Sequence, residues 1–207
     1  MKYLALGDSY TIGEKIAAEE NFPNQVYLML REKNIDIMQP RIIAVTGWTT
    51  DELLEGIKAS ELVESIDTDN DLVTLLIGVN NQYRGRSAAE YENEFEVLLV
   101  RAIHFAQDDP GRVIVLSIPD WGITPFAEGR DRGQISREID AFNAVNRRLA
   151  EKHHTYYIDI TPWTRQAEND HGLLTTDKLH PSGREYHRWA KNITSLVLDK
   201  FPGAKTG

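Results

Sequence analysis

The first residues that could do chemistry lie near the start of the chain, where a short apolar run leads into a serine. The run Tyr3–Leu6 predicts a buried strand, and Gly7, Asp8 and Ser9 follow it directly. Ligands of open α/β sheets bind at the carboxyl ends of the strands. Ser9 therefore occupies a position at which a nucleophile is expected, and its simplest structural alternative is the N-cap of a helix. We expect Asp8 to be a structural carboxylate that accepts hydrogen bonds from turn amides, rather than a phospho-aspartate.

A serine nucleophile needs a base and a group that orients the base, and the far end of the chain contains both residue types. His180 can take the serine proton, and Asp177, three residues earlier in a tight turn, can bind the other imidazole nitrogen. Taken singly, Asp177 could be a loop cap and His180 a residue that precedes a helix. The spacing of the two favours the catalytic interpretation, with Ser9, Asp177 and His180 as the catalytic residues.

The same chemistry needs donors for a developing oxyanion. The candidates are the backbone N–H of Ser9, the backbone N–H of Gly47 and the side-chain amide of Asn80. Glycine allows the backbone to approach a reacting centre closely. Gly47 could also be an ordinary turn glycine. Asn80 and Asn81 are both good turn residues, so one of the two is expected to serve only the turn.

Five short apolar runs alternate with helical stretches along the chain, which predicts a parallel sheet with crossover helices. The predicted strands are Tyr3–Leu6, Arg41–Val45, Leu72–Ile77, Arg112–Ile118 and Thr155–Ile158. The predicted fold is a three-layer α/β/α sandwich with a flavodoxin-like five-stranded parallel sheet, ordered 2-1-3-4-5. The 207 residues are expected to form one domain over 1–207.

Capping sequences and periodicity mark the helices. Boxes that begin at Thr49, Ser87 and Ser182 open helices that run to about Lys58, Gln107 and Lys200. Helical periodicity covers Asn24–Lys33 and Ser136–His153. The apolar residues on these two helices that are expected in the core are Leu28, Leu30, Ile139, Phe142, Val145 and Leu149.

Four blocks of this chain resemble the conserved blocks of the SGNH, or GDSL, hydrolases. They are Gly7-Asp8-Ser9, Gly47, Gly78-x-Asn80 and Asp177-x-x-His180-Pro181, in the family's order. The resemblance implies a flavodoxin-like hydrolase with serine, glycine, asparagine and histidine in the roles above. It also implies activity as an esterase, lipase, thioesterase or carbohydrate deacetylase. Tyr10 stands where leucine is common in this family, and Asn81 stands where aspartate is common. Neither residue has a catalytic role, so these differences bear on the subfamily and not on the catalytic chemistry.

The apolar residues beside these blocks predict a partly hydrophobic substrate pocket. Trp48, Tyr83 and Trp121 are its candidate substrate-binding residues. The aromatic side chains could instead pack their loops onto the sheet. Arg84 or Arg130 could hold an anionic head group, although a solvated surface arginine is the simpler expectation.

Composition excludes several classes of function. The net charge of −9 argues against nucleic acid as a partner, and no apolar run is long enough to span a membrane. The chain has no cysteine, so disulfides and a cysteine nucleophile are excluded. A small-molecule ester is the expected partner, with no cofactor and no metal. Because no signal peptide is apparent, a cytoplasmic location is expected, although a removed secretory segment would leave the same sequence.

Two other functions fit the same predicted fold. A flavodoxin-like electron carrier would bind FMN through the hydroxyl-rich segment 9–13. Asp8 beside the phosphate would be unfavourable there, and a carrier has no need of Asp177 and His180. A non-catalytic binding module is the third hypothesis.

Overall fold

Five parallel strands form the centre of the molecule. The computed structural model describes residues 1–201, so residues 202–207 of the predicted domain lie outside the described part of the chain. The sheet order is β2-β1-β3-β4-β5, with β1 (Tyr3–Gly7), β2 (Arg41–Ala44), β3 (Leu72–Leu76), β4 (Val113–Leu116) and β5 (Tyr156–Ile158). The predicted fold class and the predicted strand order are confirmed. The inner strands are buried on both faces, as their nearly continuous apolar sequences indicate.

Helices cover both faces of the sheet. They are α1 (Ser9–Ile12), α2 (Phe22–Glu32), α3 (Thr50–Val63), α4 (Val79–Tyr83), α5 (Ala88–Phe105), α6 (Arg132–Lys152), α7 (Thr161–Thr164) and α8 (Gly183–Lys200). Helix α2 packs against α8, while α5 packs against α3 and α6. None of the helices within residues 1–201 is both long enough and apolar enough to cross a membrane.

Local side-chain chemistry explains where the helices begin. Ser87 and Glu90 form the predicted capping box of α5. Helix α6 begins at Arg132 rather than at Ser136, because the Asp131 carboxylate caps the earlier turn by accepting a hydrogen bond from the Gln134 amide at 2.8 Å.

The prediction that Leu28 lies in the core is wrong. Its side chain is 46% exposed, whereas Val26 and Leu30 on the same helix are fully buried. A residue two positions away on a helix is rotated by roughly 200°. Burial of Val26 and Leu30 against α8 therefore turns Leu28 towards solvent. The other five predicted core residues of α2 and α6 are buried.

The register of the sheet decides which loops meet. Gly7, at the end of β1, pairs with Ala44 of β2 on one side and with Leu76 of β3 on the other. The three strands therefore end level with one another, and β1 lies between its two partners. Consequently the segment after β1 is flanked by the segments after β2 and β3, at the crevice where ligands of such sheets bind.

Candidate functional site

Ser9 lies at the first residue of α1, immediately beyond β1. The Asp8 side chain caps this short helix by accepting a hydrogen bond from the Tyr10 amide at 3.0 Å. Gly7 allows the helix to fold back closely on the sheet. A Cβ atom at Gly7 would lie only 2.1 Å from Thr11 Oγ1 and 2.4 Å from the Leu76 carbonyl oxygen. The turn therefore requires glycine, and it holds Ser9 at the strand end.

The imidazole of His180 joins the other two predicted catalytic residues. His180 Nε2 lies 3.0 Å from Ser9 Oγ, and His180 Nδ1 lies 2.7 Å from Asp177 Oδ2. An ionised carboxylate can only accept hydrogen bonds, so Nδ1 carries the proton and Nε2 presents its lone pair to the Ser9 hydroxyl. Residues separated by most of the chain thus form one hydrogen-bonded row. A hydroxyl, an imidazole and a carboxylate in this order activate serine in unrelated hydrolases.

A tight turn holds Asp177 in its place. Its Oδ1 atom accepts hydrogen bonds from the Thr175 hydroxyl at 2.7 Å and from the amides of Leu179 and His180 at 2.9 and 3.0 Å. Burial by itself would raise the pKa of Asp177. The hydrogen bonds from His180, Thr175 and the backbone outweigh that effect and lower the pKa to about 2. Asp177 is therefore a carboxylate at any pH near neutrality.

Gly47 lies in the turn that follows β2, beside Ser9. Its φ of 86° is in the left-handed region that glycine adopts without strain. Within residues 1–201, the backbone N–H groups of Gly47 and Ser9 have no hydrogen-bond acceptor. Two unpaired donors at the edge of one cleft are available to a negatively charged oxygen.

The two adjacent asparagines of α4 make different contacts. Asn80 Nδ2 donates to the Trp48 carbonyl oxygen at 3.0 Å and, more weakly, to Asp8 Oδ2 at 3.3 Å. Asn81 is fully buried, and it binds the backbone N–H and the hydroxyl of Thr50 at 3.1 and 2.6 Å. Asn81 therefore attaches α4 to the start of α3, while Asn80 faces the cleft. Neither asparagine therefore serves only its turn, as was expected of one of them, since Asn81 joins two helices and Asn80 lines the cleft.

An open cleft of about 590 Å³ contains Ser9, His180, Gly47 and Asn80. Its apolar wall contains both Tyr83 and Trp121, together with Val79, Phe126 and Leu179. The Tyr83 and Trp121 rings meet edge to face with centroids 5.2 Å apart. These two predicted substrate-binding residues are thus together in the cleft.

The structure does not bring Trp48 into this cleft. Its indole lies on α3 against Gly56, where a Cβ atom would be 2.1 Å from Trp48 Cη2. The absence of a side chain at Gly56 provides the space for the indole. Only the carbonyl oxygen of Trp48 contributes to the site, through its bond to Asn80.

Sequence reasoning did not assign Tyr10 a place in the site. The Tyr10 ring is buried and lines the cleft. Its centroid lies 5.1 Å from the centroid of the His180 ring. Thr46 and Leu179 line the cleft as well. Their positions directly beside Ser9, Gly47 and His180 in the sequence were the only available signal.

The comparisons with known proteins agree with this fold. The GDSL-like Lipase/Acylhydrolase family matches residues 5–188. The chain belongs to this family, and it is an ester hydrolase of the α/β class. This result replaces the hypotheses of an FMN-binding electron carrier and of an inert binding module. A search of curated proteins found no match to the chain.

Several solved structures share the fold. A lipase/acylhydrolase from Enterococcus faecalis superposes with a TM-score of 0.73 at 20% identity, over 100% of both chains. The acetyl xylan esterase AlAXEase gives a TM-score of 0.72 at 19% identity, over 95% of this chain and 100% of its own. The psychrotrophic esterase EstA from Pseudoalteromonas sp. gives 0.67 at 15% identity, over 96% of this chain and 95% of its own. At these identities the likeness concerns the fold.

A buried carboxyl group beside the site predicts a pH dependence of stability. Asp8 is fully buried, and this burial raises its pKa from an ordinary 3.8 to about 7, although bonds from Tyr10 and Asn80 oppose the rise. Between about pH 4 and pH 7 the folded chain keeps a proton that the unfolded chain has lost, so the free energy of unfolding falls as the pH rises. The Asp8→Asn variant has no titratable group at this position, so it lacks this pH-dependent contribution to the free energy of unfolding.

Urea denaturation of both proteins at several pH values across this window measures the effect. We expect the variant to gain stability relative to the parent protein as the pH rises. Parallel curves for the two proteins would show that Asp8 does not titrate in this range.

Proposed function

We propose that the chain hydrolyses carboxylic esters with Ser9 as nucleophile, His180 as general base and Asp177 as the group that orients the base. The observation that carries the proposal is the position of one imidazole, which contacts the Ser9 hydroxyl at 3.0 Å and the Asp177 carboxylate at 2.7 Å. Because Asp177 binds Nδ1–H, the other ring nitrogen is free to take the serine proton.

The reaction then follows in two halves. His180 Nε2 removes the hydroxyl proton as Ser9 Oγ attacks the ester carbonyl carbon, and a tetrahedral intermediate forms. His180 gives the proton to the leaving alcohol, and the acyl group stays on Ser9. A water molecule, deprotonated by His180, next attacks the acyl carbon to form a second tetrahedral intermediate. His180 then returns the proton to Ser9 Oγ as the bond between Oγ and the acyl carbon breaks, which releases the acid. The Asp177 carboxylate stabilises the imidazolium in both halves, and its low pKa keeps it charged.

In each half of the reaction, the oxyanion of the tetrahedral intermediate accepts hydrogen bonds from the Ser9 N–H, the Gly47 N–H and the Asn80 side-chain amide. The unpaired state of the two backbone donors within residues 1–201 supports this assignment. Asn80 already makes two bonds, so it must give up one of them to donate to the oxyanion. The bond to Asp8 at 3.3 Å is the longer and weaker of the two, and it is the one that yields.

The substrate is a small-molecule ester that places an apolar group against Tyr83 and Trp121. The edge-to-face contact of the two rings supports this part of the proposal, because it presents a fixed apolar wall next to Ser9. The cytoplasmic location expected from the sequence remains a prediction.

Removing the nucleophile tests the proposed mechanism. We expect Ser9→Ala to reduce hydrolysis of 4-nitrophenyl acetate to the background rate, because no other hydroxyl within residues 1–201 makes a hydrogen bond with the His180 imidazole. Ser65→Ala, at an exposed serine, serves as the matched control and should keep full activity. Undiminished hydrolysis by a correctly folded Ser9→Ala protein would refute the mechanism.

Removing the Asn80 amide tests the oxyanion assignment. Loss of one such donor lowers kcat by about 10²–10³-fold in serine hydrolases, and we expect a loss of this size for Asn80→Ala, with a smaller change in KM. Asn192→Ala, at an exposed asparagine of α8, is the control. A loss below about threefold, measured by steady-state kinetics, would exclude Asn80 as an oxyanion donor.

A further inference from the structure

A cation lies over the apolar wall of the cleft. The Arg130 guanidinium carbon is 5.2 Å from the centroid of the Tyr83 ring and 5.5 Å from that of the Trp121 ring. Its Nη2 atom donates a weak hydrogen bond to the Tyr83 hydroxyl at 3.4 Å. Both rings line the cleft that contains Ser9. The arginine therefore extends the wall with a positive charge at its exposed edge.

The support beneath Arg130 is fixed. Trp121 Nε1 donates to Gln82 Oε1 at 2.7 Å in the buried interior, and Gln82 Nε2 donates to Glu138 Oε2 at 2.7 Å. Trp121 is only 4% exposed. The Arg130 guanidinium thus stacks on an indole ring that cannot turn without breaking these two hydrogen bonds. A charge held in a fixed place loses little conformational freedom when a ligand binds.

Arg130 differs from most arginines of this chain in having no acidic partner. Within residues 1–201, Arg130 and Arg137 are the two arginines with no carboxylate oxygen within 4.0 Å. Arg84, the other arginine near the cleft, binds Glu52 at 3.0 Å and the Gly47 carbonyl oxygen at 2.7 Å. Guanidinium groups have five N–H donors, and Arg130 uses one of them.

Beside Gly47, an acidic side chain next to the cleft is paired with a cation. Glu14 accepts a hydrogen bond from the hydroxyl of Thr46, which lines the cleft beside Gly47. This contact lowers the pKa of Glu14, so the side chain is a carboxylate near neutral pH. Glu14 Oε1 lies 3.4 Å from Lys15 Nζ, so these two charges form an ion pair, whereas Arg130 has no carboxylate partner within residues 1–201. An anionic substituent of a substrate is therefore attracted to Arg130, at the edge of the aromatic wall.

We propose that Arg130 selects esters that carry an anionic group, such as a carboxylate or a phosphate, at the end of an apolar segment. The apolar segment lies on Tyr83 and Trp121, and the anion binds the free face of the guanidinium. This proposal rests on the proposed function, because it places the ester carbonyl at Ser9. The anion can belong to the acyl part or to the alcohol part of the substrate, and the experiment distinguishes the two.

Paired esters test the selection. For the acyl part, mono-4-nitrophenyl adipate is compared with 4-nitrophenyl hexanoate; for the alcohol part, 4-acetoxybenzoate is compared with its methyl ester. In Arg130→Gln we expect kcat/KM for the anionic member of one pair to fall about tenfold, mainly through KM, and the neutral member to change less than about twofold. Raising the salt concentration from about 0.05 M to about 0.5 M should lower kcat/KM for the anionic ester only in proteins that contain Arg130.

Two control variants show whether the effect belongs to this residue. Arg137→Gln removes the other unpaired arginine, which is exposed on α6, and should leave all four esters unaffected. Lys178→Gln removes the exposed cation of the loop that contains Asp177 and should preserve the preference for the anionic ester. Equal losses for anionic and neutral esters in Arg130→Gln, no loss at all, or transfer of the effect to Lys178→Gln would each overturn the proposal.

A binding measurement separates this proposal from the proposed catalysis. In the Ser9→Ala background, calorimetry compares the affinity for mono-4-nitrophenyl adipate and for 4-acetoxybenzoate with and without Arg130→Gln. We expect at least one anion to bind about tenfold more weakly without Arg130, whether or not Ser9 is the nucleophile. Equal affinities would overturn the role of Arg130 and leave the catalytic proposal standing. Selective anion binding by a protein that hydrolyses none of the esters would refute only the catalysis.

Discussion

The site depends on one constraint: a single imidazole must reach a hydroxyl and a carboxylate at the same time. His180 does so at 3.0 and 2.7 Å, although Ser9 lies 171 residues before it in the chain. The sheet order makes this contact possible, because β1 lies between β2 and β3 and its end opens into the crevice. On the other side, the His180 carbonyl oxygen accepts from the Thr175 amide at 2.8 Å, which closes the loop before α8. Loss of either support would separate the hydroxyl from its base.

Much of the fold was predictable because local and global signals agree. The apolar runs gave the five strands to within two residues at each end, since a strand buried on both faces needs an almost continuous apolar sequence. The capping sequences gave the starts of α3, α5 and α8, although the Ser182 hydroxyl makes no cap bond and donates instead to the Gly172 carbonyl oxygen. The ends were less predictable: α3 continues to Val63, five residues past the expected Lys58. Helix α4 was missed, because a five-residue helix has no periodicity to detect.

The residues at the strand ends were predictable for the same reason, whereas the aromatic side chains that form the wall of the cleft were not. Ser9, Gly47 and Asn80 follow three adjacent strands, so knowledge of the sheet alone brings them together. The orientation of an aromatic side chain in a loop depends instead on tertiary packing. Trp48 lies on α3 because Gly56 leaves room there, and Trp121 faces the cleft because Gln82 binds its indole nitrogen. Neither contact has a signature in the local sequence.

Covalent labelling measures the central contact most directly. A fluorophosphonate reacts with a serine only when a neighbouring base makes its oxygen nucleophilic, and the adduct can be located by peptide mass spectrometry. We expect one adduct per chain, on the peptide that contains Ser9, and the loss of rapid labelling in a folded His180→Gln protein. Labelling of another residue, or labelling of Ser9 at an unchanged rate without the imidazole, would contradict the proposed mechanism.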